Sequence, residues 1–454
     1  MSGGISKILR RLARFTGALE RDTKRLFEEF RREKRGGDGS SKKVLLIRPP
    51  FVSLEFGPPL GLAYLQDILK KNGHRALVWD LNLELRDRLG LDDYNREWII
   101  APGRPVVKEM YAALEENCER ALNLDPDIVG FSLGYPTYDY GVQMAKKIHR
   151  RVRCIAGGPH ASNNEQGILD LGCFDTVVSG YGEEGVLKAV NQTGVIQERL
   201  DPQKDYRPDY TGIGCEKYDG FLPILTTRGC PNRCTFCTQN YPYYYHSIAS
   251  VVEQLTNAGR LKKVMLNDSN LNVNGKRTAE LFSALAGIQD PPDIEVFGLQ
   301  IRPDFERYVS KMARAGVRRV RLGLESGSPR ERESMGKPGF DNDLCVAMIK
   351  ELTAHKILTL AQFIFCYPDQ TQEDRRQTLL LIQRINRQGD PEFVRHYWYR
   401  FVIYIGKEEF FRRNYGVTSA SPVNWQNDLY TPEKVEELQR QYTALLPSNA
   451  EILL

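Results

Sequence analysis

The sequence predicts an α/β protein of two domains, a doubly wound Rossmann-like sheet followed by a partial (β/α)6 barrel of the TIM type. The first observation behind this prediction is length, because 454 residues exceed one ordinary core and domains of about 150 residues would give two to three. The second is that short apolar runs alternate with helical stretches from residue 43 onward, as in parallel sheets. The third is that glycine and polar residues follow these runs, where parallel sheets hold ligands.

Composition restricts the class of protein. The chain is 41% hydrophobic and 27% charged, which is typical of a globular protein. No run approaches the roughly 20 apolar residues of a membrane span. The odd number of cysteines, nine, and an N-terminus without an apolar signal segment lead us to expect a reducing, cytoplasmic protein.

Residues 1–41 are predicted to form a basic amphipathic helix and a flexible linker. Residues 5–35 carry eleven Lys or Arg against five Asp or Glu, so the rest of the +5 chain is close to −1. That distribution does not favour nucleic acid as a partner. One interpretation packs the helix on the main body, and the alternative docks it on a partner or a membrane surface. Its apolar residues recur three or four apart: Ile5, Ile8, Leu9, Leu12, Phe15, Leu19, Leu26 and Phe30.

Residues 42–195 are predicted to form the Rossmann-like domain, and residues 196–215 a connector. Residues 216–400 are predicted to form the barrel, because six further strand-like runs alternate there with helical stretches. Residues 401–454 are rich in aromatic side chains, and we expect them to close the open side of the barrel.

Three cysteines lie within eight residues, directly after the first strand of the predicted barrel: Cys230, Cys234 and Cys237. Thiols this close share a ligand. A zinc ion with His246 as fourth ligand is one alternative. The favoured one is a four-iron cluster, because three thiolates leave one iron open for a substrate. A disulfide does not suit a reducing compartment.

The spacing C-x3-C-x2-C, with Phe236 before the last cysteine, resembles the signature of the radical S-adenosylmethionine (SAM) superfamily. This resemblance implies a [4Fe-4S] cluster on the three cysteines and SAM on the open iron. Glu325 ends a strand, where a carboxylate can accept two ribose hydroxyls, and a salt bridge inside the barrel is the alternative. The resemblance identifies no catalytic side chain, and the implied SAM-binding residues are Phe236, Asp268, Arg302, Glu325 and Ser326.

The first domain resembles the cobalamin-binding domain that precedes many such barrels, over residues 43–190. Its glycines would let a flat corrin lie against the sheet edge. The D-x-H-x-x-G loop of better-known cobalamin carriers is absent, so His160 is not assigned as a cobalt ligand. The residues implied in cobalamin binding are Pro59, Leu60, Gly61, Ser132, Gly157, Gly158, His160, Gly180, Gly182 and Glu183.

Together the two domains resemble the cobalamin-dependent, class B radical SAM methylases. The resemblance implies a methyltransferase that moves a methyl group from SAM, by way of methylcobalamin, to an unactivated carbon from which a 5′-deoxyadenosyl radical takes the hydrogen. A non-methylating rearrangement or cyclisation with the same cofactors is the alternative, followed by a noncatalytic iron–sulfur redox protein. We expect an external one-electron donor and, as substrate, a protein or peptide, a lipid or a small molecule.

Overall fold

The computed structural model describes residues 24–32, 41–50, 57–89, 105–218, 221–239, 241–257, 263–337, 339–419 and 425–453. The chain divides into two compact units, Met1–Gly220 and Phe221–Leu454. Most of the predicted N-terminal helix and the predicted linker at 35–40 lie outside the described residues. None of the helices in the described ranges is both long and apolar enough to cross a membrane.

The first unit contains a six-stranded sheet in the order β2-β1-β3-β4-β5-β6, with every neighbouring pair parallel. This confirms the predicted doubly wound class and adds β6, which the sequence does not indicate. Its strands are β1 (Lys43–Arg48), β2 (Arg75–Asp80), β3 (Ile128–Ser132), β4 (Arg153–Gly157), β5 (Thr176–Gly180) and β6 (Gly194–Glu198). Its helices are α1 (residues 24–32), α2 (Leu60–Lys71), α3 (Leu81–Leu89), α4 (Pro105–Ala112), α5 (Leu114–Asn123), α6 (Tyr138–Ile148), α7 (Pro159–Ser162), α8 (Glu165–Leu169) and α9 (Gly182–Ala189).

Burial explains why β1 lies inside this sheet. All six of its residues are buried, as expected of a strand covered by helices on both faces. The helix α1 packs on the same core, because Phe30 is buried in it and the ring of Phe27 meets Trp79 edge-on at 5.5 Å. Residues 24–32 therefore pack on the core of the first unit.

The second unit contains a seven-stranded parallel sheet in the order β17-β14-β13-β12-β11-β10-β7. Six of these strands lie in the sheet in chain order, as predicted. The seventh, β17, belongs to residues 401–454, which were expected only to close the barrel, and it pairs with β14. The strands are β7 (Phe221–Ile224), β8 (Thr227–Arg228), β9 (Tyr244–Tyr245), β10 (Lys263–Leu266), β11 (Asp293–Leu299), β12 (Val317–Glu325), β13 (Leu358–Phe365), β14 (Val394–Arg400), β15 (Thr418–Ser419), β16 (Trp425–Gln426) and β17 (Ala450–Leu453). The helices are α10 (Ile248–Thr256), α11 (Gly275–Leu285), α12 (Val309–Arg314), α13 (Pro329–Ser334), α14 (Asn342–Ala354), α15 (Gln372–Gln388), α16 (Glu408–Tyr415) and α17 (Pro432–Thr443).

Candidate functional site

The three predicted ligand cysteines lie in one loop of the second unit. The loop leaves β8 through Gly229, whose φ of +68° suits glycine, and the chain returns in β9, which pairs antiparallel with β8. Cys234 is buried, Cys230 and Cys237 are half-buried, and none of the three is in a disulfide. The first strand of the sheet, β7, therefore leads directly into the cysteine loop.

Two of the sulfurs accept hydrogen bonds from fixed donors. The Asn270 side-chain amide lies 3.5 Å from the Cys230 sulfur, and the backbone N–H of Gln239 lies 3.3 Å from the Cys237 sulfur. Burial is the main cause that raises the pKa of the Cys234 thiol to about 11; the Lys337 ammonium opposes this rise, and the Glu325 carboxylate and the thiolates of Cys237 and Cys230 add to it. Such mutually repelling thiolates coexist when a metal centre binds among them.

This arrangement fits a cluster better than a single metal ion. Among the described residues, no group of three or more His, Cys, Asp or Glu side chains converges on one ion. The alternative zinc ligand His246 is buried and accepts a hydrogen bond from the Arg228 guanidinium at 3.2 Å. A four-iron cluster does not require the three side chains to converge on one ion, because each thiolate binds its own iron. Hydrogen bonds to the sulfurs then adjust the reduction potential of the cluster.

Asp268 holds the chain immediately before this loop. Its carboxylate accepts hydrogen bonds from the backbone N–H groups of Thr226 and Thr227, at 2.8 and 2.6 Å, and from both threonine hydroxyls. Burial raises its pKa to about 6, and the hydrogen bonds act in the opposite direction. Its contact with SAM stays a prediction, because the described contacts of the carboxylate are all with the threonines.

Glu325 ends β12 in a strained conformation. Its φ is +64°, uncommon for a residue other than glycine. The carboxylate accepts a hydrogen bond from the Lys337 ammonium at 3.0 Å, which is the salt bridge that the sequence left as an alternative. Its side chain is 14% exposed, so the carboxylate is not sealed from a ligand.

Ser326 turns away from the edge of the sheet. It is fully buried, its hydroxyl donates to Glu331 at 2.5 Å, and the same oxygen accepts from the backbone N–H of Ser328. Burial raises the pKa of Glu331 to about 8. Ser326 therefore shapes the turn after Glu325, and its predicted contact with SAM remains a prediction.

The other two predicted SAM-binding residues are half-buried. Phe236 lies inside the cysteine loop, and Arg302 lies after β11 with its Nε buried and without a hydrogen-bond partner in the described part of the chain. The sequence gives no signal for Thr235, whose backbone N–H and hydroxyl both donate to the Met335 carbonyl, at 2.9 and 3.1 Å.

The predicted cobalamin-binding residues gather at the carboxyl edge of the first sheet. Three of them end parallel strands, and the other seven lie in the turns or first helical residues after a strand. Parallel strands place these ends on the same edge. The strand-end residues are Ser132, Gly157 and Gly180; those after a strand are Pro59, Leu60, Gly61, Gly158, His160, Gly182 and Glu183.

Glycines leave parts of this carboxyl edge of the first sheet without side chains. Gly158 and Gly180 have φ values of +95° and +81°, and a Cβ on Gly158 would lie 2.8 Å from the Leu133 carbonyl oxygen. At Gly61, apart from its chain neighbours and the backbone of its own helix, no atom of the described residues lies within 4 Å of the place a Cβ would take, so the backbone is open to a close approach. A corrin, which is large and flat, fits such an edge.

His160 lies at the same edge, stacked on Tyr138 with ring centroids 3.9 Å apart. Both ring nitrogens are buried, and neither has a hydrogen-bond partner among the described residues. Burial lowers the pKa of His160 to about 4, so the imidazole is neutral at pH 7. Its contact with cobalamin stays a prediction.

Comparison with known proteins matches both units. Residues 52–190 match the B12 binding domain, and residues 224–382 match the radical SAM superfamily. The chain is 27% identical over 390 residues to an uncharacterized methyltransferase of Pyrococcus horikoshii, covering 76% of this chain and 78% of that one. It is 31% identical over 190 residues to the bacteriochlorophyllide d C-12(1)-methyltransferase of Chlorobaculum tepidum, covering 39% and 40% of the two chains.

A solved structure shares the fold. The radical SAM methyltransferase TsrM of Kitasatospora setae, with cobalamin and a [4Fe-4S] cluster bound, superposes with a TM-score of 0.67 at 15% identity, covering 90% of this chain and 93% of that one. The present chain thus joins a B12 binding domain to a radical SAM domain. It belongs to the cobalamin-dependent radical SAM enzymes and is related to their methyltransferases.

Proposed function

We propose that the protein transfers a methyl group from SAM, through cobalamin, to an unactivated carbon of its substrate. The observation that carries this proposal is one loop with three cysteine thiols beside the Glu325 turn, in a chain that also contains a B12 binding domain. When bound, the cluster supplies the electron that cleaves SAM, and cobalamin supplies a cobalt that accepts and releases a methyl group.

The chain's own residues bind and orient these groups. Cys230, Cys234 and Cys237 hold the cluster, and Asp268 fixes the backbone that leads into their loop. Glu325 presents a carboxylate that can accept the ribose hydroxyls of SAM, held at its other side by Lys337. Phe236 and Arg302 complete the proposed SAM site.

The proposed setting follows the sequence-based expectations. The protein works in the cytoplasm with an external one-electron donor, and its substrate is a protein or peptide, a lipid or a small molecule rather than nucleic acid. The segment before residue 24, for which the sequence predicts a basic amphipathic helix, is proposed to dock a partner or a membrane surface.

Anaerobic reconstitution tests the proposal. The protein is loaded with iron, sulfide and hydroxocobalamin, mixed with SAM and dithionite, and assayed for bound iron, bound cobalamin, 5′-deoxyadenosine and S-adenosylhomocysteine. We expect both nucleoside products, and S-adenosylhomocysteine only when cobalamin is present. The nucleoside without S-adenosylhomocysteine would exclude methyl transfer and leave a rearrangement or cyclisation.

The cysteine loop has a matched control in the same unit. Cys234→Ala should lose the cluster and all SAM cleavage, because the remaining two thiolates cannot hold four irons. Cys345→Ala removes a buried thiol of α14, outside the loop, and should retain both. Full SAM cleavage by Cys234→Ala would refute the assignment of the site.

A further inference from the structure

The ion pair between Glu325 and Lys337 is largely buried. Their side chains are 14% and 7% exposed, and the ammonium lies 3.0 Å from the carboxylate. Gly323 makes the space for the pair, because a Cβ there would lie 2.5 Å from the Glu325 oxygen and 3.3 Å from the Lys337 nitrogen. Two opposite charges are therefore fixed at the end of β12, and solvent screens them less than it screens an ion pair on the surface.

The end of α13 fixes the position of Lys337. Gly336, at φ +60°, ends the helix: its N–H donates to the Glu333 carbonyl, and the Lys337 N–H donates to the Arg332 carbonyl at 3.0 Å. This is a Schellman motif, which closes a helix through a left-handed glycine. The lysine backbone is thus rigid where its side chain turns toward Glu325.

The same helix end packs on the cysteine loop. The Met335 carbonyl accepts two hydrogen bonds from Thr235, and a Cβ on Gly336 would lie 3.2 Å from the Arg233 carbonyl oxygen. Cys234 lies between these two loop residues. Lys337 directly follows Gly336, so its ammonium and the Glu325 carboxylate paired with it stand next to the two loop residues that flank this sulfur.

We propose that Lys337 and Glu325 set the reduction potential of the cluster held by Cys234, with Lys337 raising it and Glu325 lowering it. The proposal rests on the proposed function only in requiring a cluster at the three cysteines. Reduction adds one electron, taken from the external donor, and no bond forms or breaks. A nearby cation stabilises that added negative charge and a nearby anion opposes it, most strongly where solvent is excluded.

The test is a redox titration of the reconstituted protein without SAM, followed by electron paramagnetic resonance of the reduced cluster. Lys337→Met should lower the midpoint potential, because it removes the cation and leaves Glu325 unpaired. Glu325→Gln should raise it, and the double variant should fall between the two. Lys337→Arg, which keeps the charge, should lie closest to the wild type. Lys434→Met, which removes an exposed lysine paired with Glu437 in α17, should leave the potential unchanged.

The outcomes separate this inference from the proposed function. Potentials of Lys337→Met and Glu325→Gln that match the Lys434→Met control, or that move in the same direction, overturn the inference while SAM cleavage by the wild type keeps the function. If Lys337→Met does not assemble its cluster, Glu325→Gln alone decides: a raised potential supports the inference, and an unchanged or lowered one overturns it. A wild type that assembles no cluster overturns both.

Discussion

Hydrogen bonds and an ion pair between side chains stabilise the carboxyl edge of the second sheet, whereas the carboxyl edge of the first sheet is formed by turns that contain glycine. In the second unit the Asp268 carboxylate accepts four hydrogen bonds, and Glu325 is held by a buried lysine. In the first unit glycines with positive φ end one strand and follow another, and the buried ring nitrogens of His160 have no partner in the described part of the chain.

The difference corresponds to the size and charge of what each edge is proposed to bind. A cluster and the polar ends of SAM require charged groups at fixed positions, and a network of hydrogen bonds supplies that preorganisation. A corrin requires a broad surface that its ring can approach closely, and glycines supply it without side chains in the way. Substitutions should therefore act through lost side-chain contacts at one edge and through backbone strain at the other.

The largest effect is expected at Asp268. Asp268→Ala leaves the buried N–H groups of Thr226 and Thr227 without their acceptor, at about 1–3 kcal/mol each. We expect most of the iron to be lost after reconstitution, measured by iron analysis. Asp268→Asn keeps an acceptor oxygen and should keep the iron. If Asp268→Asn retains iron but binds SAM weakly, the predicted contact between Asp268 and SAM is favoured.

At the first sheet, backbone strain should be decisive at Gly158. Gly158→Ala forces an alanine to φ +95° and places its Cβ 2.8 Å from the Leu133 carbonyl oxygen. With ψ at 178°, this conformation is essentially restricted to glycine and costs another residue about 1–3 kcal/mol. We expect about tenfold faster hydrogen exchange in peptides of β3 and β4.

The matched control for Gly158 is Gly61. Gly61→Ala lies in α2, where the new Cβ has no atom of the described residues within 4 Å beyond its own helix backbone and chain neighbours. The variant should therefore not destabilise the domain and can gain up to about 1 kcal/mol of helix propensity. It should nevertheless lower cobalamin retention, because the methyl group occupies the open edge. Equal exchange rates in both variants would contradict the strain argument.

The buried carboxyl network of the second unit should give a pH dependence. Burial raises the pKa of Glu331 from 4.5 to about 8, so the stability linked to this group is complete below pH 4.5 and is lost as the pH rises through 8. Glu331→Gln imitates the protonated form. Its melting temperature relative to the wild type should therefore be higher at pH 9 than at pH 6, measured by scanning calorimetry.

An exposed carboxylate controls for this effect. The Arg376 guanidinium lowers the pKa of Glu373 to about 2, so Glu373 is ionised throughout that range. Glu373→Gln should differ from the wild type by the same amount at both pH values. Parallel behaviour of the two variants would show that Glu331 does not change protonation state.

The sequence predicts local features of the molecule well, but not contacts between residues that are far apart in the chain. Apolar runs such as Val44–Ile47 mark buried strands, and closely spaced cysteines mark a loop, because both signals are local. The strands β6 and β17 give no such signal, since each buries only one residue. The contacts of the cysteine loop could not be predicted from the sequence either, because Thr235 and Met335 are 100 residues apart. A single sequence does not show which side chains contact each other across such distances. Ser326 is an example, because its sequence motif suggests contact with a ligand, whereas its hydroxyl donates a hydrogen bond to Glu331.

The smallest effect is expected at Thr235, where backbone and side chain share the work of holding the cysteine loop. Thr235→Val removes the hydrogen bond that the hydroxyl donates to the Met335 carbonyl, at 3.1 Å, and the hydrogen bond that it shares with the Tyr367 hydroxyl, at 2.8 Å, but keeps the backbone bond to Met335. At about 1 kcal/mol per hydrogen bond, the cluster should assemble and then lose iron to a chelator several-fold faster. Thr235→Ser keeps the hydroxyl and should lose iron at the wild-type rate. Identical rates in Thr235→Val and the wild type would mean that the backbone bond alone holds the loop.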